Sequence, residues 1–167
     1  MKEKLTRKDV EKIQAEIDHR KLVLRPQILE AVREARAQGD LSENFEYYAA
    51  RRENGTNNSR IRYLERLLKS AVILEDHSSA DEVGLNKSVT VYIEEDDECE
   101  TYKIVTSIRG NSMRNLISIE SPLGKALLHH HTGDRVTIPV NDAYSYDVVI
   151  REIRDDLGED GDRIRTF

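Results

Sequence analysis

The chain has 167 residues, 35% charged and 38% hydrophobic, with a net charge of −6, enough for one domain or two small ones with much exposed surface. No apolar run approaches the ~18 residues of a membrane span and the N-terminal segment lacks a secretory apolar core, so a cytoplasmic protein with no membrane partner is expected. The single cysteine, Cys99, excludes an internal disulfide, and two Phe, seven Tyr and no Trp argue against a large aromatic-lined pocket.

Thr6 is a good N-cap for a first helix, with Asp9 at N3 completing a capping box and Leu5 and Val10 at the staple positions. Apolar residues recur at Val10, Ile13, Ile17, Leu24, Ile28, Val32 and Ala35, with a shift around Pro26. Pro26 lacks a backbone donor and predicts a kink, and Gly39 is the expected C′ residue. A second helix is expected from about Leu41 to Leu74, with the seam Tyr47, Ala50, Asn54, Asn57, Ile61, Leu64, Leu68 and Ala71. About 31 helical residues would make a rod of ~45 Å. Its root is Ile- and Leu-rich; the half nearer the reversal is small and polar.

Residues 75–85 are polar, break both periodicities and read as a linker. Strand patterns follow at Ser88–Glu94, Thr101–Thr106, Leu116–Glu120, Arg135–Val140 and Tyr144–Ile153, with hairpin turns expected at Asp96-Asp97-Glu98 and Asn111-Ser112. Ser121 caps one short helix with Pro122 at N1, ended by Thr132-Gly133-Asp134. The expected organisation is α+β. A coiled-coil hairpin (1–75) and a linker (76–85) precede a sheet domain (86–154) and an acidic, flexible tail (155–167). Residues 1–75 carry 16 Lys+Arg against 13 Asp+Glu and residues 76–167 carry 10 against 19, which suggests modules with different partners.

Gly39-Asp40-Leu41-Ser42-Glu43-Asn44 fills the reversal between the helices. Read alone, Asp40 at N-cap and Glu43 at N3 make a capping box for the second helix. The alternative is a pair of hard-oxygen Mg²⁺ ligands. Two exposed carboxylates are too few to hold the ion alone. Arg33, Arg36, Arg51, Arg52, Arg60 and Arg62 read either as a basic track toward the reversal or as a solvated face with pairs such as Glu30–Arg33. His129-His130-His131 point in different directions on a helix and suit its C-terminus better than a metal. Cys99 is placed in an acidic turn, without a base to activate it.

The reversal hexapeptide with Glu46-Tyr47 behind it, Arg25-Pro26, Ala49-Ala50-Arg51, Arg60-Ile61, and Asn115 through Ile119 with Ser121-Pro122-Leu123 resemble the bacterial Gre transcript cleavage factors, GreA and GreB, with the hairpin's modest positive balance closer to GreA. The resemblance implies an antiparallel coiled-coil hairpin followed by an FKBP-like antiparallel sheet domain with one short helix. It implies a monomer that enters the secondary channel of RNA polymerase and stimulates the polymerase's own Mg-dependent cleavage of backtracked RNA. No cofactor is then tightly bound alone; Mg is shared with the polymerase through Asp40 and Glu43, with Ser42 and Asn44 supporting. Arg36, Arg51 and Arg52 would meet the nascent RNA 3′ end, and Glu120, Ser121 and Pro122 would dock on the polymerase. The chain departs from the family at Asp9, where Gly is usual, at Asn141-Asp142-Ala143, and in the tail. A channel-binding regulator that does not cleave is the main rival, which retention of both acids disfavours. A prolyl isomerase would need an aromatic pocket, and Asn54 and Asn57 weaken an intermolecular coiled-coil seam.

Overall fold

The computed structural model describes residues 2–39, 44–156 and 164, so Asp40, Leu41, Ser42 and Glu43 lie outside the described residues, as does the tail beyond Asp156 apart from Ile164. The chain forms two compact units, residues 1–73 and 74–167.

The first unit opens with β1 (Lys4–Leu5) and α1 (Arg7–His19). The Thr6 hydroxyl accepts from the Asp9 N–H at 3.2 Å, while the Thr6 N–H donates to the Asp9 carboxylate at 2.9 Å. The expected capping box is therefore formed, and Asp9, Ile13 and Ile17 are buried. The predicted kink takes the form of a π turn, Arg20–Leu24, in which the Arg25 N–H bonds to the Arg20 carbonyl five residues back. A Pro26 ring inside a regular helix would collide with the carbonyl of Leu22. The wider turn places Pro26 instead in the first turn of α2 (Arg25–Ala37). The extra residue also absorbs the shift in the apolar pattern between Ile17 and Ile28, both buried.

The second long helix, α3, spans Phe45–Ser70, not Leu41 to Leu74. Its 26 residues make about 39 Å, shorter than the predicted rod. After Ser70 the chain leaves the helix for β2 (Val72–Ile73), which pairs in parallel with β1. The buried stripe of α3 is Tyr47, Ala50, Asn57, Ile61, Leu64 and Leu67. Leu67, rather than the expected Leu68, ends it.

The second unit holds a five-stranded sheet of β3 (Lys87–Ile93), β4 (Glu98–Val105), β5 (Leu116–Ser118), β6 (Arg135–Asn141) and β7 (Tyr144–Asp155), in the order β5-β4-β3-β7-β6. All pairings are antiparallel except β4–β5, which is parallel through Ile104↔Ile117. The sheet is thus mixed, and Asn111-Ser112 is not a hairpin turn. A parallel neighbour needs a crossover, supplied by the 3₁₀ turns Ser107–Arg109 and Ser112–Arg114 with Asn115 left-handed at φ 56°. The short helix α4 (Pro122–Leu127) ends before the histidines, not at Gly133. Val89, Val91, Ile104, Leu127, Val148 and Ile150 form a dry core.

Two stretches expected to be peripheral are packed. Val83, in the segment read as a linker, is fully buried in that core. Its N–H donates to the His130 carbonyl at 2.8 Å and its carbonyl accepts from the His129 N–H at 3.0 Å. Lys87 Nζ is buried beneath the same segment and donates to the Ser79 and Glu82 carbonyls. At the C-terminal side, Asp155 ends β7, and Asp156 accepts from the Ser88 hydroxyl at 2.7 Å. The first two residues of the stretch expected to be a flexible tail, Asp155 and Asp156, are therefore held to the sheet.

Candidate functional site

The reversal is framed on both sides by residues whose chemistry closes a helix. α2 ends at Ala37, and Gly39 takes φ +112°, a left-handed value open to glycine at little cost. On the far side the N-cap is Asn44, not Asp40. The Asn44 side-chain carbonyl accepts from the Tyr47 N–H at 3.0 Å, and its amide donates to the Ala35 carbonyl of α2 at 2.7 Å. One side chain thus caps α3 and straps it to α2. The capping box expected from Asp40 and Glu43 falls on residues outside the described ones, and the cap that α3 shows is Asn44. Asp40, Ser42 and Glu43 themselves lie outside the described residues.

Behind the reversal, the Arg36 guanidinium lies over the Tyr47 ring, 5.7 Å from its centroid. Hydrogen bonding from Arg36, then the charges of Arg36 and Arg51, hold the Tyr47 phenol below its ordinary pKa against the opposing effect of burial. Arg36, Arg51 and Arg52 are exposed. These three arginines therefore occupy the helical turns next to the reversal, two of them gathered on one tyrosine.

The other arginines of the suggested track are engaged elsewhere. Arg60 is nearly buried and binds Glu16 of α1, Nε to Oε1 at 2.9 Å and Nη2 to Oε2 at 3.3 Å. Arg20 binds the same carboxylate at 2.9 Å and donates to the Asn57 side-chain carbonyl at 3.0 Å, while the Asn57 amide returns to the Arg20 carbonyl. Burial pushes the Glu16 carboxyl up, but the bonds from Arg60 and Arg20 outweigh it and the net pKa is lowered. Asn57 and Arg60 are therefore part of a polar layer across the hairpin at the π turn. Arg33 pairs with Glu30 at 3.8 Å, the solvated-face arrangement, and Arg62 donates to the Ser59 hydroxyl.

In the second unit, the Ser121 hydroxyl accepts from the Gly124 N–H at 3.0 Å and donates to the Ser118 carbonyl at 2.7 Å. Glu120, exposed in the turn before it, pairs with Lys125 at 3.7 Å, and Pro122 opens α4. Glu120, Ser121 and Pro122 thus share one rigid corner between β5 and α4. A Cβ on Gly124 would lie 2.0 Å from the Ser118 carbonyl oxygen, so glycine permits the helix to sit this close to the strand.

His129, left-handed at φ 68°, lies 2.9 Å from Glu82, and His130 lies 3.3 Å from Asp134. The His129 contact and the Ser79 N–H lower the Glu82 pKa; the His131 N–H and the His130 ring lower that of Asp134. The histidines thus have separate partners, and among the described residues no His, Cys, Asp and Glu group is arranged for a metal. Cys99 lies in β4 opposite Tyr92, not in the turn. Among the described residues no helix is long and apolar enough to cross a membrane.

Sequence reasoning missed the double role of Asn44, although Asn three residues before Tyr47 is an ordinary N-cap signal. It also passed over Phe45, which is 86% exposed in the first turn of α3. Gly124 could not be found from its neighbours in sequence, because the atom that excludes a side chain belongs to β5.

Two family models together span nearly the whole chain: "Transcription elongation factor, N-terminal" matches residues 3–73, and "Transcription elongation factor, GreA/GreB, C-term" matches residues 77–155. The transcription elongation factor GreA of Macrococcus caseolyticus is 40% identical over 149 residues, covering 89% of this chain and 94% of that relative. GreA of Geobacillus kaustophilus is 42% identical over 135 residues, covering 80% and 85%. Among solved structures, GreA factor homolog 1 (Gfh1) of Thermus thermophilus is 25% identical, covering 92% of this chain and 99% of that chain, with a TM-score of 0.43.

Proposed function

The chain belongs to the GreA/GreB family of transcription elongation factors, and we propose that it enters the secondary channel of RNA polymerase and stimulates cleavage of backtracked nascent RNA. As an elongation factor it works with RNA polymerase, which sets its place in the cytoplasm. The observation that carries the reading is the framing of the six-residue reversal. Gly39 and Asn44 close the ends of two neighbouring helices, and the four residues that join them in sequence include the two acids. α3 starts at Phe45 with Asn44 as its cap, so the helix has a cap that does not call on either acid.

In this mechanism Asp40 and Glu43 supply hard carboxylate oxygens, the donor type Mg²⁺ takes. They are two where the ion needs more, so the polymerase and the RNA phosphate supply the rest. When held by Asp40 and Glu43 together with those groups, Mg²⁺ would supply Lewis-acid polarisation of the phosphodiester and a lowered pKa for the attacking water. Asp40 serves chiefly as the metal-directed acid, and Glu43 orients the water and accepts its proton. Ser42 holds water or phosphate beside them. Asn44 keeps the loop ends in register through its strap to Ala35. Arg36, Arg51 and Arg52 draw the extruded RNA 3′ end by its phosphates. The corner of Glu120, Ser121 and Pro122 docks the second unit on the polymerase. The factor is then no nuclease by itself, since its acids complete a site on another protein.

The test uses a polymerase stalled in a backtracked complex with Mg²⁺. The wild-type chain releases short 3′ RNA fragments. Asp40→Ala with Glu43→Ala loses about 100-fold or more of that rate, the scale of a positioned acid–base pair, yet still competes with wild type for the polymerase. Full-rate fragments from the double variant overturn the assignment of the acids. Wild-type binding that slows transcription without fragments overturns the cleavage reading.

A further inference from the structure

Phe45 occupies the first turn of α3, two residues after Glu43, with 86% of its surface exposed. It plays no part in the seam, which begins at Tyr47. Nor is it needed to start the helix, because Asn44 caps it. Tyr48, three residues on, is 44% exposed and meets Tyr47 edge to face with centroids 5.5 Å apart. Residues i and i+3 lie on the same flank of a helix. Arg52, exposed one further turn along, extends that flank. The result is an aromatic, aromatic, cation stripe beginning at the end of the hairpin that carries the acids.

We propose that Phe45, backed by Tyr48, stacks on an unpaired base of the RNA 3′ segment and so holds the scissile region against the tip acids. The inference rests on the cleavage reading above, and it adds a positioning residue that neither the acids nor the arginines supply. Single strands are held by aromatic faces for the bases and cations for the phosphates, in a manner tolerant of sequence because every base has a π face. The stripe has both parts in that order. A rotation-poor phenyl fixed to a capped helix loses little freedom on stacking. Asn44 fixes its position through bonds to both helices.

The experiment uses the full chain with backtracked polymerase complexes whose RNA carries 2-aminopurine in the extruded 3′ segment. A second set carries an abasic sugar at that position. Fluorescence is read with Asp40→Ala plus Glu43→Ala so that the RNA stays intact, and cleavage is read with the acids present. The expected result is quenching by Phe45 that Phe45→Ala removes and Phe45→Trp retains. Cleavage at subsaturating factor falls about 10-fold for Phe45→Ala on normal RNA, recovers with Trp, and shows no Phe-to-Ala difference on the abasic RNA. An equal loss on abasic RNA overturns the proposal and assigns Phe45 to a protein wall of the channel. Unchanged quenching and unchanged cleavage in Phe45→Ala also overturn it, while wild-type fragments in that same assay leave the cleavage reading standing. Phe45-dependent quenching without wild-type fragments keeps the stacking and sinks the cleavage reading.

Discussion

The two units are stabilised by different means. The sheet unit closes over aliphatic side chains, with Val83, Val89, Val91, Ile104, Leu127, Val148 and Ile150 wholly removed from water. The hairpin has only a stripe to bury, and at its middle that stripe is polar: Glu16, Arg20, Asn57 and Arg60 bond across the helices at the π turn. A close-packed apolar core feels even a one-methylene change in volume, and the Ser121 corner is held to that core by Leu127 and by the Ser118 carbonyl. A polar layer fixes register, since each member must meet a particular partner, and adds less stability. The sheet unit is thus suited to holding a docking corner still. The hairpin is suited to carrying a short loop at a fixed height on a thin support.

The sharpest way to break this contrast is Gly124→Ala. The new methyl would stand 2.0 Å from the Ser118 carbonyl oxygen, a backbone atom that cannot rotate aside. Overpacking of this kind costs about 1–3 kcal/mol. It must displace α4 from β5 and disturb the Ser121 cap. Urea unfolding should show the loss, and polymerase binding should weaken, with the helical circular dichroism of α3 preserved. Equal stability and equal binding would mean that the corner is soft and the contrast false.

Glu16→Gln probes the other side of the comparison and should leave polymerase docking by the corner untouched. Wild-type Glu16 accepts three bonds from two arginines. The variant leaves Arg60, which is 10% exposed, without its carboxylate partner there. A loss of about 1.5–3 kcal/mol is expected at neutral pH, the range for hydrogen bonds to charged groups. Because the folded-state pKa of Glu16 is lowered, its contribution is fully present above the ordinary carboxyl value of 4.5 and is lost as pH falls through the lower folded value. The difference between wild type and variant in the urea midpoint of the helical signal should therefore close on acidification. A difference independent of pH would assign the effect to packing.

The same contrast explains what could be read from the sequence. Strand positions in the sheet unit alternate by period two around an apolar core, so Val89, Val91, Val148 and Ile150 are recognisable in place. The Thr6 and Ser121 caps are local and equally legible. What escaped depended on atoms distant in sequence. The parallel β4–β5 pairing is fixed by a crossover, not by either strand's pattern. Arg60 looked like one more surface cation because its partner Glu16 lies 44 residues away. Asp40 looked like the cap of α3 because Asp is as good a cap as Asn by composition. The Tyr47 N–H donating to the Asn44 side chain identifies the cap of α3, and the amide of the same side chain reaches across to Ala35, which no local pattern shows.

That strap gives the smallest expected effect and separates capping from positioning. Asn44→Ala removes both bonds and should cost about 1 kcal/mol of helix stability, the usual value for a lost N-cap. Asn44→Ser keeps an acceptor for the Tyr47 N–H and loses the amide that donates to the Ala35 carbonyl. If Asn44 matters only as a cap, Ser should restore both the stability and the cleavage rate of the Ala variant. If the strap holds the ends of the acid-bearing loop together, Ser should restore stability alone. Cleavage should then remain several-fold low, since small displacements of positioned groups cost rate steeply. The second outcome is expected, because a cap acts on α3 alone, whereas the Ala35 bond ties α3 to the helix on the other side of the acids.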